Sequence, residues 1–362
     1  MSLSKLRGTR LRSRATAIVG AIGLATFGLT ACGGGSSPAT SVTTGPPSTV
    51  DSATWNKTLD AANQEGTVNW YFSVGSSDKI IADFEKAYPK IKVKATFAGT
   101  ADLIPKLDQE IEAGVKSADV VVHASPGWFS DRYDADKFAS LTVAPDQTSA
   151  GWEKLLGGKS YATVLAIPYT ISSQSDQPTF TDVASLLAAK PDAKYGLLNP
   201  HSSVAAAFAY ETLRQEFGDE ILDKLAATSH TVEASNTPLG QALGAGSFEY
   251  ALPGLASVTT PLVAKGARIT ETVPTKAASG PQYNAAVMGT APHPNAATVF
   301  TNWLMSKDGA ASFVKNVSPA ATAISVDGSI PWDSVKSYDP KEWTNEKWNA
   351  WIAQYWTPRF GG

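Results

Sequence analysis

The chain has 362 residues, is 43% hydrophobic and 17% charged, and sets 30 basic against 33 acidic residues for a formal net charge of −3. That length supports two domains with cores of their own, and that hydrophobic content excludes global disorder. Its single cysteine can make neither an intrachain disulfide nor a cysteine-rich zinc site, which excludes a disulfide scaffold and a zinc finger.

Residues 1–14 hold Lys5, Arg7, Arg10, Arg12 and Arg14 without an acid, and residues 15–29 carry no charge. This is the order of an export signal, and the run is shorter than the ~20 apolar residues of a membrane span. It ends in Leu29-Thr30-Ala31-Cys32, which resembles the lipobox of bacterial lipoproteins. The resemblance implies cleavage before Cys32 and its diacylation; the competing readings are a buried cysteine or an uncleaved anchor helix. With no adjacent arginine pair before the apolar run, the general secretory route is expected over twin-arginine export.

From Gly33 to about Thr49 the chain reads GGGSSPATSVTTGPPST, and residues 32–51 are expected to form a flexible tether. Loss of residues 1–31 leaves 25 basic against 33 acidic residues, a charge of −8. An acidic chain lacks the basic stripe of a nucleic-acid binder, so no nucleic-acid partner is expected. Membrane contact is expected through the lipid anchor alone, since one acyl chain binds only marginally and stable anchoring takes more.

Residues 67–72 (TVNWYF) predict a strand, 78–88 a helix with Ile80, Ile81 and Phe84 on one face, and 91–97 a second strand. Leu103, Leu107 and Ile111 recur every four residues and predict another helix, followed by the apolar strand 118–123 (ADVVVH). This βαβαβ order places ligand loops after Phe72, Phe97 and His123. Residues 167–178 are expected to cross between two lobes.

A second unit begins with a strand at 195–198 and helices at 204–217 and near 219–227. A strand at 231–233, a helix near 239–245 and a strand near 248–252 complete it. Two such systems without a detectable repeat predict an α/β protein of two lobes, each a mixed sheet flanked by helices. The expected lobes are residues 52–165 with 272–320, and 166–271 with 321–362. Trp343, Trp348, Trp351 and Trp356 in the tail are read as core packing rather than a carbohydrate or membrane platform.

The loops VNWYFSVGSSDKIIADFEKAYPKIKV, Gly99-Thr100-Ala101-Asp102-Leu103-Ile104, ADVVV with ASPGWFSD, LLNPHSSVAAAF, FGDE and APHPNAATVFTNWLMSKDGAASFV occur in this order. In that order they resemble the bacterial extracellular solute-binding proteins of the ferric-ion-binding type, from about Gly66 to Lys315. The resemblance implies a type 2 periplasmic-binding fold and a ligand cleft between lobes. It also implies a monomer that delivers a small-molecule solute to an ABC permease and its ATPase. Neither cofactor nor catalytic residue is expected.

Ser73, Gly75, Ser76 and Ser77 lie between a strand and a helix start, where free N–H groups and the helix dipole favour an anion. Ser202 and Ser203, beside His201, repeat the device in the second unit. Plain N-capping is the alternative reading at both places. Gly99, Thr100, Ser125 and Asn236 join them from neighbouring loops, and Trp128, Tyr169, Tyr250 and Tyr283 are candidates for stacking or hydrogen bonding. Only Arg132, Arg214, Arg268 and Arg359 follow Cys32, none in a serine-rich loop, so an anion would depend on neutral donors.

Ferric members carry paired tyrosines after the strand matching 248–252; here the loop reads Pro253-Gly254-Leu255-Ala256-Ser257. A small organic anion or zwitterion is therefore the expected solute, with ferric iron, alone or with a synergistic anion, as the alternative. A secreted hydrolase lacks its motifs: there is no Gly-x-Ser-x-Gly or His-Glu-x-x-His, and Gly158-Lys159-Ser160 has Glu153 where a phosphate loop needs glycine. A sensor lipoprotein of the same fold is the remaining rival.

Overall fold

The computed structural model describes residues 44–75, 77–150, 155–317 and 319–361. The export signal, Cys32, the first part of the tether and Ser76 lie outside the described residues.

The chain enters through β1 (Ser48–Thr49), and Asp51 starts α1 (Ser52–Glu65) by accepting the Thr54 amide at 2.7 Å. Gly66, at φ 65°, ends that helix in the left-handed conformation that glycine adopts without strain. There follow β2 (Thr67–Phe72), α2 (Ser77–Ala87), β3 (Lys92–Phe97), α3 (Thr100–Glu112), β4 (Val120–His123), α4 (Pro126–Asp134), β5 (Thr142–Val143) and β6 (Tyr161–Ala166). The second unit comprises β7 (Thr170–Gln174), α5 (Val183–Ala189), β8 (Lys194–Leu198), α6 (Val204–Phe217), α7 (Glu220–Ala226), β9 (Ser229–Glu233), α8 (Asn236–Gly244), β10 (Tyr250–Gly254), α9 (Ala256–Val263) and β11 (Ile269–Thr272). The chain then returns through β12 (Gln282–Val287), α10 (Pro294–Leu304) and α11 (Lys307–Val317), and its tail ends around α12 (Asn345–Trp351).

Two five-stranded mixed sheets result, ordered β3-β2-β4-β12-β6 and β11-β7-β10-β8-β9. In the first, β3, β2 and β4 are parallel, with Phe72 opposite Phe97 and Trp70 opposite Val120. β12 runs antiparallel between β4 and β6, so its start lies level with the carboxyl end of β4. In the second, β10, β8 and β9 are parallel, and β7 runs antiparallel to both of its neighbours, β10 and β11. This is the two-lobed α/β arrangement expected.

The periodicity of 67–123 matches the observed elements to within a few residues. The strands β6, β7, β11 and β12 were not individually legible; β12 joins the first sheet only after the chain has built the second.

Three segments cross between the sheets and bond to one another. The Ala166 and Ala321 amides exchange hydrogen bonds with each other's carbonyls at 2.9 and 2.8 Å, and the Tyr169 amide donates to Ser279 O at 2.8 Å. The Gly280 amide donates to Lys336 O at 3.0 Å. A Cβ at Gly280 would lie 2.1 Å from Ile167 O, so the segments are as close as they are because position 280 has no side chain.

The largest core packs Trp70 on Phe72 with ring centroids 3.9 Å apart, and sets Phe300 against Phe84 at 4.8 Å. Burying each such side chain contributes about 1.5–3 kcal/mol. That core continues into the second sheet through Leu198, Ala206 and Leu239. A separate core under β8 and β10 takes in Trp343, Trp351 and Trp356, and the tryptophan stripe of the tail is packing.

Residues 46–50 of the expected tether are bonded to residues 140–143. Ser140 Oγ donates to Pro46 O at 2.6 Å, Ser48 N to Leu141 O at 3.0 Å and Val50 N to Val143 O at 3.3 Å. β1 thus runs parallel to β5, since backbone donors and acceptors exposed at residues 140–143 accept an extended chain regardless of its side chains.

Candidate functional site

The loops at the carboxyl ends of β2, β3 and β4 converge. Ser73 N donates to Val122 O at 3.0 Å and Ala98 N to Phe72 O at 3.2 Å, so the chain leaves β2 and β3 still in register. Ser73 Oγ and Thr100 Oγ1 stand 2.9 Å apart, uniting the first two predicted loops. Gly99 takes the N-cap position of α3, and Ser77 opens α2 with Asp78 in its first turn. Ser125 sits at the N-cap position of α4 without a side-chain bond to that helix.

The second sheet presents a matching edge. Asn199 N donates to Glu233 O at 2.8 Å, continuing the β8/β9 pairing, and Asn199 Oδ1 accepts the His201 amide at 2.9 Å. Ser203 Oγ accepts from Ala206 N at 3.1 Å and caps α6. The Tyr169 phenol is buried against the Ser203 and Asn236 side chains, and burial pushes it well above the usual phenol range. Asn236 Oδ1 is buried without a partner.

The two edges meet. A Cβ at Gly75, after β2, would lie 3.0 Å from the carbonyl oxygen of Ser257, in the first turn of α9 after β10. The carboxyl-end loops of the two parallel strand sets therefore face one another, with Ser73 and Thr100 on one side and Tyr169, Ser203 and Asn236 on the other.

Four sequence candidates stand apart from this cluster. Tyr250 is fully buried at the amino end of β10, where its hydroxyl donates to Pro178 O at 3.0 Å and its ring packs on Tyr195. A residue at that end of a parallel strand is at the opposite end from the carboxyl-end loops, so Tyr250 is corrected to a core residue. Trp128 is likewise committed to packing: its indole N–H donates to Asp108 Oδ1 at 2.8 Å and its ring meets His123 and Phe129. His201 is exposed on the surface turn before Ser203, and Ser202 lies beside it in that turn. Tyr283 is buried at the start of β12, level with the carboxyl end of β4.

The structure adds three groups that sequence reading passed over. His123 is fully buried with both ring nitrogens unpartnered, and desolvation lowers its pKa to about 3. Its strand partner Asn284 accepts from Thr163 Oγ1 at 2.8 Å but leaves Nδ2 unpartnered. Glu271 is half-buried, and desolvation raises its carboxyl pKa against the hydroxyls of Thr170, Ser172 and Thr259, with Ser172 Oγ at 2.7 Å. Tyr338, half-buried, packs against both main cores. No periodic pattern marks these residues; their neighbours come from distant segments.

Arg132 is paired with Asp108 at 2.5 Å, Arg214 with Glu211 and Asp219 at 2.7 Å each, and Arg359 with Asp223 at 2.6 Å. The polar groups gathered between the sheets are hydroxyls, amides and phenols. Among the described residues, no group of three or more His, Cys, Asp or Glu side chains is placed to hold a metal ion. Nor is any helix among them long and apolar enough to cross a membrane.

Solved structures with the same architecture include a substrate-binding protein of an ABC transporter from Agrobacterium tumefaciens, 14% identical over 80% of this chain and 96% of that one, with TM-score 0.62. AfuA from Actinobacillus pleuropneumoniae, bound to exogenous fructose-6-phosphate, is 15% identical over 82% and 98% with TM-score 0.60. Iron-bound HitA from Pseudomonas aeruginosa is 15% identical over 79% and 97% with TM-score 0.57. No curated protein matches the chain. The family model for the bacterial extracellular solute-binding proteins matches residues 76–316, from the start of α2 into α11, and the chain belongs to that family.

Proposed function

We propose that this protein is the lipid-anchored substrate-binding component of an ABC importer. It captures a small anionic or zwitterionic organic solute between its lobes and passes it to a membrane permease and its ATPase. The observation that carries this reading is the approach of Gly75 to Ser257, which brings the carboxyl-end loops of both sheets to one place.

Ser73, Thr100, Ser203, Asn236 and Tyr169 supply neutral hydrogen-bond groups on both sides of that junction. A handful of desolvated hydrogen bonds of this kind supports micromolar capture, about −8 kcal/mol. Residues 52–165 with 272–320 form one lobe and 166–271 with 321–362 the other, and closure turns about the three bonded crossings. Cys32 ties the monomer to the outer face of the membrane.

Of the proteins sharing the fold, one is bound to iron and another to fructose-6-phosphate, which frames the choice of cargo. The organic anion is favoured because the loop after β10 offers Pro253 to Ser257 where ferric binding would call for phenolates. Thermal unfolding of the full chain against separate panels of carboxylates, organophosphates, phosphonates, polyamines, thiamine and ferric citrate tests the reading. A rise in Tm with an organic anion, and return of that anion chemically unchanged, is the expected result. Chemical conversion of the bound compound would replace transport with catalysis.

A further inference from the structure

The three crossing segments each carry a tyrosine. Tyr169 follows β6, Tyr283 opens β12 and Tyr338 lies in the returning tail. Their backbones are neighbours: Tyr169 N donates to Ser279 O at 2.8 Å, Ile167 N to Pro281 O at 3.1 Å, and Gly280 N to Lys336 O at 3.0 Å. Ser337 Oγ adds a bond to Gly280 O at 2.8 Å.

Tyr169 and Tyr283 share one buried core, and Tyr338 packs against it. Tyr169 in turn reaches Ser203 and Asn236 at the edge of the second sheet. Tyr338 packs against the core that holds Tyr169 and Tyr283 and also against the core of the second sheet.

We propose that Tyr338, together with Tyr169 and Tyr283, forms the hinge-side wall of the solute site and binds the anionic group of an organic solute through neutral phenol O–H donors. This rests on the reading of the interlobe junction as the solute site. A phenol is protonated at neutral pH and able to donate, and burial raises all three further above their ordinary range. A phenol that donates is matched to a carboxylate or phosphoryl oxygen, whereas a ferric site would need the same groups as phenolates. Because each phenol belongs to a different crossing, an anion joined to all three would also tie the crossings together in the closed form.

The test uses the full chain with inorganic phosphate and citrate as anion probes and ferric nitrilotriacetate as the metal probe. Calorimetric titration and thermal unfolding are run on the parent, Tyr338→Phe, and Tyr355→Phe as a control on the same tail. The expected result is that at least one anion probe binds the parent, and that Tyr338→Phe weakens it about tenfold at unchanged ligand-free Tm, as loss of one hydrogen bond to a charged group predicts. Tyr355→Phe should bind like the parent.

Equal binding by Tyr338→Phe would overturn the inference while leaving the solute-binding reading intact. If neither anion binds the parent, the inference falls, and the broader solute panel decides the reading separately. A visible phenolate-to-iron absorption band in the parent that is lost in Tyr338→Phe would overturn it in favour of a metal site.

Discussion

Gly75 and Ser257 lie on different sheets, yet a methyl group added to Gly75 would stand 3.0 Å from the Ser257 carbonyl oxygen. The contact is backbone against backbone, so it cannot be relieved by rotating a side chain. Gly75→Ala should therefore impede closure while leaving each lobe intact. Affinity for the solute is expected to fall about tenfold, a cost of ~1.4 kcal/mol, with the ligand-free Tm unchanged. Small-angle scattering with and without solute would show whether the variant stays open.

Ser203 has two tasks, and its neighbour Ser202 shares neither. Its Oγ caps α6 through Ala206 N, and its side chain meets the Tyr169 phenol. Ser203→Ala should cost about 0.5–2 kcal/mol of folding stability as well as weaken anion binding. Ser203→Asp should keep the cap but bring a carboxylate toward the anion, retaining Tm and losing affinity. Ser202→Ala should change both quantities little. Parallel denaturant titrations and binding isotherms separate the two roles.

His123 gives the fold an acid-sensitive point. Its folded pKa is depressed to about 3, so between the ordinary value of 6.5 and that value the unfolded chain binds a proton that the folded chain does not. Stability is fully present above pH 6.5 and is lost as pH falls through this window, at up to about 1.4 kcal/mol per pH unit. His123→Phe, set among Trp128 and Phe129, should flatten that part of the stability profile measured by denaturant unfolding. An unchanged acid slope would locate the titrating group elsewhere.

Glu271 acts in the opposite sense. Its folded pKa is raised by desolvation, so the folded state holds its proton more tightly than the unfolded chain. The associated stability is present below pH 4.5 and declines as pH rises through the raised value. Glu271→Gln keeps an acceptor for the Thr170, Ser172 and Thr259 hydroxyls without the charge. It should match the parent near pH 4 and exceed it in Tm at pH 8; a loss at pH 8 would show that the ionised carboxylate is needed.

Much of the fold was legible in the primary sequence because its signals are local. The alternation of apolar and polar residues marked β2, β3 and β4, the four-residue spacing of Leu103, Leu107 and Ile111 marked α3, and the serines before α2 and α6 marked helix starts. Those signals arise within a few residues, where strand alternation, helix periodicity and capping act. The acidic balance and the order of loops in the chain were equally plain.

Other features depend on groups far apart in the chain. Tyr250 and Trp128 read as binding aromatics from their loops, and only the direction of β10 and the nearness of Asp108 show them to be packing residues. β12 reaches the first sheet after the chain has built the second, and Tyr338 arrives beside Tyr169 from the tail. The loss of their chain entropy is offset by burial and by hydrogen bonds between crossings, terms that no sequence window contains. The primary sequence by itself determined the two α/β units, the acidic character and the hydroxyl-rich loops. Which hydroxyls come near one another across the lobes follows from packing between segments more than a hundred residues apart, beyond the reach of any local signal.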